Sequence, residues 1–450
     1  MALFPDDTCT IPLDTSADAC VEAVAKILTA YAGHSVYAYE RESTWHVGVD
    51  SQASFTIDPP GERATVETDT TISSTEITGD TIKKVIAAFT SRYAQDGGMI
   101  FGQIGFNYSA YINGVEFKPG SWPLVSLIVL RPQIRVQKGA VSLRSWTEND
   151  LQVIKRALSH PVPSFYTHGW PGESTNGEQY RDVVQKALGE ISRGLYQKVI
   201  ASRAVDLPYK VDMVGTLVCG RRANTPRRTF LVDHNGFSAT GFSPELVMSF
   251  QDGKVTTEPL AGTRANVGTE KDRSRLRDNL LNDPKEVMEH IISVQEAVRE
   301  MNQFCADGTV AVTDLMSVKQ RGKMQHLAST VTGTLCPSND EWDALNVLFP
   351  SITATGIPKI KAIEAISRLE TRPRELYARA IVVFEGSKSV EASLVLRTVF
   401  QDSERSWLQA GAGIIALSNP DRELTETCEK LRSFAGFVMS TRDEGSSSGE

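Results

Sequence analysis

The stretch Glu245-Leu-Val-Met-Ser-Phe-Gln-Asp-Gly-Lys-Val-Thr-Thr-Glu258 reads as two short strands, 245–250 and 254–258, joined at Asp252-Gly253. An Asp-Gly pair tolerates the left-handed backbone of a tight turn, so the two runs return on themselves antiparallel. The same alternation recurs outward. Strands are expected at 35–40, 44–50, 53–57, 198–205, 228–233, 309–313, 328–334, 380–385 and 390–400, and the apolar runs 98–107 and 123–130 read as buried strands. Helical spacing marks 17–32, 80–94 (with Ile82, Val85, Ile86 and Phe89 on one stripe), 177–193, 284–303 and 420–435, the last ending at Gly436. Antiparallel strands with interspersed helices argue an α+β fold.

Pro161, Pro163, Gly169, Pro171 and Gly172 make 159–176 a soft segment. It divides the chain into an N-terminal part, 1–172, a second part, 173–440, and a polar tail, 441–450, expected to be disordered. With 450 residues, 41% of them hydrophobic, a large core is available. The net charge of −8 and the lack of a long Lys/Arg run argue against nucleic acid or an anionic membrane as partner. The best basic stretch, Arg221 to Arg228, reads as a solvated loop face. Six scattered cysteines form no CxxC and no cysteine–histidine cluster, which suits free thiols in a reducing compartment. The start Met-Ala-Leu-Phe-Pro-Asp-Asp lacks the basic and apolar regions of a secretory signal, and no apolar run approaches membrane-spanning length. A soluble, cytoplasmic protein is expected.

Two glutamate pairs carry the chemistry. Glu286 and Glu289 lie in Asn282-Asp-Pro-Lys-Glu-Val-Met-Glu-His290, and Glu423 and Glu426 in Asn419-Pro-Asp-Arg-Glu-Leu-Thr-Glu-Thr427. Residues three apart share a helical face. Two such faces would make a tetracarboxylate cleft of the kind a hard divalent cation prefers. The bland alternative is capping: Asp283 as N-cap, Pro284 at the first helical position and Glu286 at the third. The expected buried stripes are Val287, Ile291, Val294 and Val298 on one helix and Leu424, Cys428 and Leu431 on the other, with the glutamates at their border.

Gly411-Ala412-Gly413 reads as a small-residue turn whose N–H groups could take a carboxylate or phosphate. Pro259-Leu-Ala-Gly262-Thr263-Arg264 has the same character. Lys198 stands in an apolar strand, where it marks an edge or, facing a cleft, a base. Glu245 could pair with it as acid. Arg397 interrupts the apolar run Leu394-Val-Leu-Arg-Thr-Val-Phe400, and a charge there needs a partner, for which an anionic ligand would serve. His326 reads equally as a core histidine or a ligand contact.

Seven ordered segments, Gln197-Lys-Val-Ile-Ala-Ser-Arg203, Gly241-Phe-Ser-Pro-Glu245, Pro259–Arg264, Asp283–His290, Gln325-His-Leu-Ala-Ser-Thr330, Gly411-Ala-Gly-Ile-Ile415 and Glu426-Thr-Cys-Glu-Lys430, resemble the chorismate-utilising enzymes over residues 175–440. The resemblance is nearest to siderophore-type salicylate synthases. Lys198 stands where water-using members carry lysine, and Thr353, in Phe349-Pro-Ser-Ile-Thr-Ala-Thr-Gly-Ile-Pro-Lys359, matches their threonine. It implies a single large α+β domain of two packed β-sheets flanked by helices, with the seam near 172 inside it, in a monomer. It implies Mg²⁺ held mainly by Glu289 and Glu426, with Glu286 and Glu423 in support. Chorismate and isochorismate would be the ligands. Lys198 would be the base that activates water and Glu245 the acid that protonates the leaving hydroxyl. Arg397 and Tyr377 would hold the enolpyruvyl carboxylate. Lys430 and the Gly411–Gly413 backbone would assist the metal at the ring carboxylate, and His326 and Thr353 would shape the pose beside Gly262 and Thr263. An isochorismate synthase without lyase activity is the near alternative. Anthranilate-type chemistry is disfavoured by Lys198, a non-catalytic binding subunit by the retained acid, base and glutamates, and a metal-dependent phosphatase or nuclease by the lack of Asp-rich clusters.

Overall fold

The expected hairpin forms. Leu246–Gln251 pairs antiparallel with Lys254–Thr257, Gln251 stands opposite Lys254, and Asp252 (φ 48°) and Gly253 (φ 80°) supply the left-handed turn. The computed structural model describes residues 9–441 except 17, 79–80, 95–97, 168–171, 173–174 and 387–388. The N-terminal stretch read for a secretory signal, most of the expected tail, and much of the soft segment before residue 175 lie outside the described residues.

Two large antiparallel sheets dominate. The eleven-stranded sheet takes five strands from residues 9–144 and six from 198–414, and they join where Val36–Arg41 pairs with Arg228–His234. The twelve-stranded sheet takes seven strands from residues 246–394 and five from 51–130, joined where Ala380–Glu385 pairs with Met99–Ile104. Both sheets therefore run across the proposed division near 172 without interruption. A small third sheet links Tyr166–Thr167, Val211–Asp212 and Met439–Ser440.

Apolar side chains of the two large sheets meet in one core. Tyr37 of one lies against Phe101 of the other, with ring centroids 5.8 Å apart. A buried ion pair crosses the same space: Arg228 donates twice to Glu391, at 2.5 Å each, and Tyr39 donates to the same carboxylate. The opposite face of the eleven-stranded sheet is covered by the helices Ala19–Ala30, Glu148–Ser159 and Met213–Ala223, which bury Val24, Ile27, Ile154, Leu217 and Val218. Each such side chain contributes about 1.5–3 kcal/mol through removal from water. No helix among the described residues is long and apolar enough to cross a membrane, and all six cysteines are free.

Several elements differ from the sequence reading. The run 390–400 is two strands, Ser389–Leu394 and Thr398–Gln401, that belong to different sheets. Arg397, read inside a strand, sits in the link between them with φ 51°. Gly411–Gly413 is not a turn but part of the strand Ser406–Ile414, which pairs along Lys198–Leu207. The helices Phe106–Ile112, Glu148–Ser159, Met213–Ala223, Glu270–Asn282, Glu341–Leu348 and Lys359–Leu369 are absent from the sequence reading; Glu270–Asn282 buries only Leu280 and so shows no apolar stripe. Its capping box, Thr269 with Asp272, was the available signal.

Candidate active site

One helix and one strand edge meet over the end of each large sheet. Pro284–Met301 packs on Leu260–Ala265 and Met324–Thr334, and Pro420–Ala435 packs on Ser406–Ile414. Both helices start from a side-chain cap followed by proline, Asp283-Pro284 and Asn419-Pro420. Of the expected stripe on the first helix only Val294 is fully buried. Val287, Ile291 and Val298 are half-buried, whereas Glu286, Glu289, His290, Ser293 and Glu300 are buried with Val294 and Ala297. Cys428, expected on the second stripe, is half-buried, while Glu423 is fully buried. A polar face can be buried only if it is neutralised there, and cations from both helices and the adjoining strands do this.

The glutamates converge on Lys285. Its Nζ lies 3.0 Å from Glu289 Oε2, 3.5 Å from Glu423 Oε2, and 3.6 Å from both Glu286 Oε1 and Glu426 Oε2. Burial alone would lower the Lys285 pKa, but the four carboxylates raise it well above the ordinary lysine value. Glu289 also pairs with Lys198, Nζ to Oε1 at 3.1 Å, and Lys198 donates to Ser293 Oγ at 3.0 Å. Burial opposes ionisation of Glu289, yet the Lys198 and Lys285 charges outweigh it and hold the carboxyl below its ordinary range. Lys430 pairs with Glu426 at 2.7 Å and donates to the Gly411 carbonyl at 2.8 Å. Glu286 accepts from the Thr263 N–H at 2.8 Å and meets Arg264 at 3.0 Å and Arg422 at 2.7 Å. Glu423 is different: burial and the neighbouring Glu426 charge push it up to about 7, and its Oε1 is buried without a hydrogen-bond partner.

Could these residues hold a divalent ion? As the side chains lie, no three acidic, histidine or cysteine residues among those described are grouped to ligate one, because the Lys285 ammonium stands between them. The donor set is nevertheless all carboxylate, one oxygen is unsatisfied, and a cation already occupies the centre. That chemistry fits Mg²⁺.

Beside the glutamates lies a cavity with mixed polar and apolar walls, the character of a small-molecule site. Glu245, Gly262, Thr263, Glu289, His326, Thr353, Tyr377, Arg397, Gly411, Gly413, Glu426 and Lys430 all line it. Four expected site residues do not. Ala412 alternates to the other side of its strand, Lys198 is wholly buried in the wall behind Glu289, and Glu286 and Glu423 are fully enclosed. Ile200, Pro244, Leu260, Ala261, Ala354, Leu396, Gln409, Ala410 and Phe434 complete the lining. Nothing in their local sequence separates them from core positions.

Glu245 accepts from Ser351 Oγ at 3.1 Å, from the Leu260 N–H at 3.1 Å and from Thr353 Oγ1. Burial dominates these bonds and raises its pKa to about 7. Arg397 has no carboxylate among its hydrogen-bond partners: one Nη donates to the Arg321 carbonyl at 3.1 Å and the other to His326 Nε2. Burial, with the Arg321 charge, lowers it to about 9. Because arginine can only donate, His326 accepts at Nε2 and offers its Nδ1 proton to Thr263 Oγ1 at 3.1 Å. Burial and the Arg397 charge hold the His326 pKa well below its ordinary value, so the ring is neutral. A buried guanidinium that lines a cavity can take a carboxylate; within the protein, the Glu245 charge is the one that favours its charged form.

The family model for chorismate binding enzymes matches residues 34–436. The chain belongs to that family. It is 37% identical over 438 residues to the salicylate synthase of Mycolicibacterium paratuberculosis, covering 95% of this chain and 94% of that one. Anthranilate synthase component 1 of Methanothermobacter thermautotrophicus is 29% identical over 74% of this chain and 72% of its own. Among solved structures, the menaquinone-specific isochorismate synthase from Escherichia coli superposes with a TM-score of 0.70 at 20% identity, covering 96% of this chain and 94% of that one. Anthranilate synthase component I from Streptococcus pneumoniae also gives 0.70, at 21% identity, over 88% of this chain and 92% of its own. The α+β fold of two large sheets flanked by helices is therefore that of the chorismate-binding enzymes.

Proposed function

We propose that this chorismate-binding enzyme converts chorismate to salicylate and pyruvate through isochorismate. The observation that carries the reading is the 37% identity to a salicylate synthase along 94% of that protein. The cavity chemistry agrees with it, since a dicarboxylate would find two cations, Arg397 and Lys430, in the cavity lining.

Glu289 and Glu426 would hold Mg²⁺, with Glu423 and Glu286 behind them, and the bound ion would neutralise the ring carboxylate of chorismate. Arg397, oriented by His326, holds the enolpyruvyl carboxylate, and Tyr377 lies beside it. Lys198, which stands behind Glu289 and would meet the cavity only past that carboxylate, would in its neutral form take the proton from a water that attacks ring C2. Glu245, held by Ser351, Thr353 and the Leu260 N–H, gives a proton to the departing C4 hydroxyl, which yields isochorismate. In the second step the C2 hydrogen moves to the enolpyruvyl methylene as the C3–O bond breaks, releasing pyruvate and leaving salicylate. That pericyclic step needs a held conformation more than a further acid or base. The cavity walls formed by Ile200, Leu396 and Thr353 supply the confinement.

One assay tests the reading. Purified protein is incubated with chorismate and Mg²⁺, with and without ammonium, and the products are separated by chromatography. Salicylate and pyruvate in equal amounts are expected. Isochorismate alone would remove the lyase step, and anthranilate would overturn the water-using assignment of Lys198.

A further inference from the structure

Lys285 has no place in the scheme above, and local rules disfavour it. It is the second residue of the helix Pro284–Met301, after the Asp283 cap. A cation there opposes the helix dipole. Its pairing with Glu289, four residues later, has the lysine on the N-terminal side, the weaker orientation. The side chain is 3% exposed and its ammonium lies within 3.6 Å of oxygens from all four glutamates, two on its own helix and two on Pro420–Ala435. Remove that ammonium and carboxylates from two helices would face one another in a buried space. Place a divalent ion there and it would meet the ammonium at contact distance, where the two repel. One site thus offers room for one of the two cations at a time. The unsatisfied Glu423 Oε1 marks where a single ammonium falls short: three N–H donors cannot satisfy four carboxylates.

We infer that the Lys285 ammonium is a built-in substitute for the divalent ion, closing the carboxylate cleft in the metal-free enzyme and leaving the centre of the cluster when the metal enters. The inference rests on the proposed metal site. Affinity for the ion is then set by competition with a tethered charge, and the two helices stay joined whether or not metal is present.

The test is a titration of Mn²⁺ followed by the electron paramagnetic resonance signal of the free ion, without substrate, on the wild-type chain, Lys285→Met and Lys285→Arg. Thermal unfolding is recorded with and without Mg²⁺. Lys285→Met is expected to bind Mn²⁺ tighter by about ten-fold or more, reflecting removal of one repelling charge. Its metal-free melting temperature should fall below that of the wild type, and Mg²⁺ should raise it by more than it raises the wild type. Lys285→Arg should bind no tighter than the wild type. Equal or weaker binding by a folded Lys285→Met, with the wild type binding normally, overturns the role of Lys285 and leaves the metal site standing. No binding by any of the three at about 10 mM, where weak Mg²⁺-type sites fill, overturns the metal site itself. If Lys285→Met does not fold without metal, Lys285→Gln takes its place under the same criteria, and refolding of Lys285→Met by Mg²⁺ alone counts in favour.

Discussion

At the scale of single residues, Glu245 makes the sharpest prediction. An acid must carry its proton when the C4 hydroxyl leaves, and an ordinary glutamate would have lost it at neutral pH. Burial raises this one to about 7, so it is protonated below that value and increasingly ionised above it. The rate of isochorismate formation should therefore fall as pH rises through about 7, approaching ten-fold per unit. Glu245→Gln should lower kcat by about 10²–10⁴ and abolish that limb of the profile. A limb that persists in the variant would assign the titration to another group. The sequence offers Glu245 and Lys198 as an acid–base pair by residue type, but nothing local places them face to face. Ser351 and Thr353 lie more than 100 residues downstream, and their approach to Glu245 is a product of the fold. Lys285 was on view in the quoted motif and was passed over as part of a cap. Its conflict with the helix dipole was the signal.

At the scale of elements, the strand Ser406–Ile414 must pass close beneath Glu289. A Cβ on Gly413 would lie 2.0 Å from Glu289 Oε1, so Gly413→Ala should push the carboxylate off its position. The expected result is loss of activity by a factor of about 10² or more, as positional errors near 1 Å cost this much, with a melting temperature close to wild type. A variant with near-normal turnover would mean that Glu289 has room to move. A second contact secures the loop that carries Ser351 and Thr353. Lys359, at the start of the next helix, pairs with buried Glu300 at 2.7 Å and donates to the Val347 carbonyl at 2.5 Å. Burial raises Glu300 to about 7 although Lys359 pulls it down. Lys359→Met removes the cation that pulls Glu300 down and so pushes its pKa higher still, and the variant should lose stability at pH 8, where only the wild type forms the ion pair. The cost should shrink below about pH 7 as Glu300 takes a proton, which denaturant unfolding at the two pH values would measure. Apolar periodicity locates Ile82–Tyr93 and Val125–Leu130, whereas Glu148–Ser159 and Lys359–Leu369 escape the reading although each buries an apolar stripe. The buried face is not legible where it is polar. On Pro284–Met301 the periodic valines read as the core side, and burial of the glutamates is explained only by cations that come from elsewhere in the fold, such as Lys198 and Arg422.

At the scale of the whole molecule, the soft segment near 172 invites a two-domain reading that the sheet order opposes. The N-terminal part supplies five strands to each large sheet, and each group abuts strands from the later part. Sequence alone could not show this, because the pairing partners are roughly 190 and 280 residues apart at the two junctions (Tyr39 with Phe230, Phe101 with Val383). A chain beginning at Thr175 would keep every proposed catalytic and metal-binding residue. It would also expose the edges Arg228–His234 and Ala380–Glu385 and uncover the core faces that Tyr37 and Phe101 now close. Unpaired, apolar strand edges of that length associate with one another. Such a chain should therefore emerge from size-exclusion chromatography as aggregate, with no cooperative thermal transition. Adding residues 1–174 as a separate chain during refolding should restore a soluble species with a single transition and measurable turnover of chorismate. A monomeric, cooperatively melting fragment from Thr175 onward would instead make the seam a true domain boundary, and the N-terminal strands an accessory to a catalytic unit that stands alone.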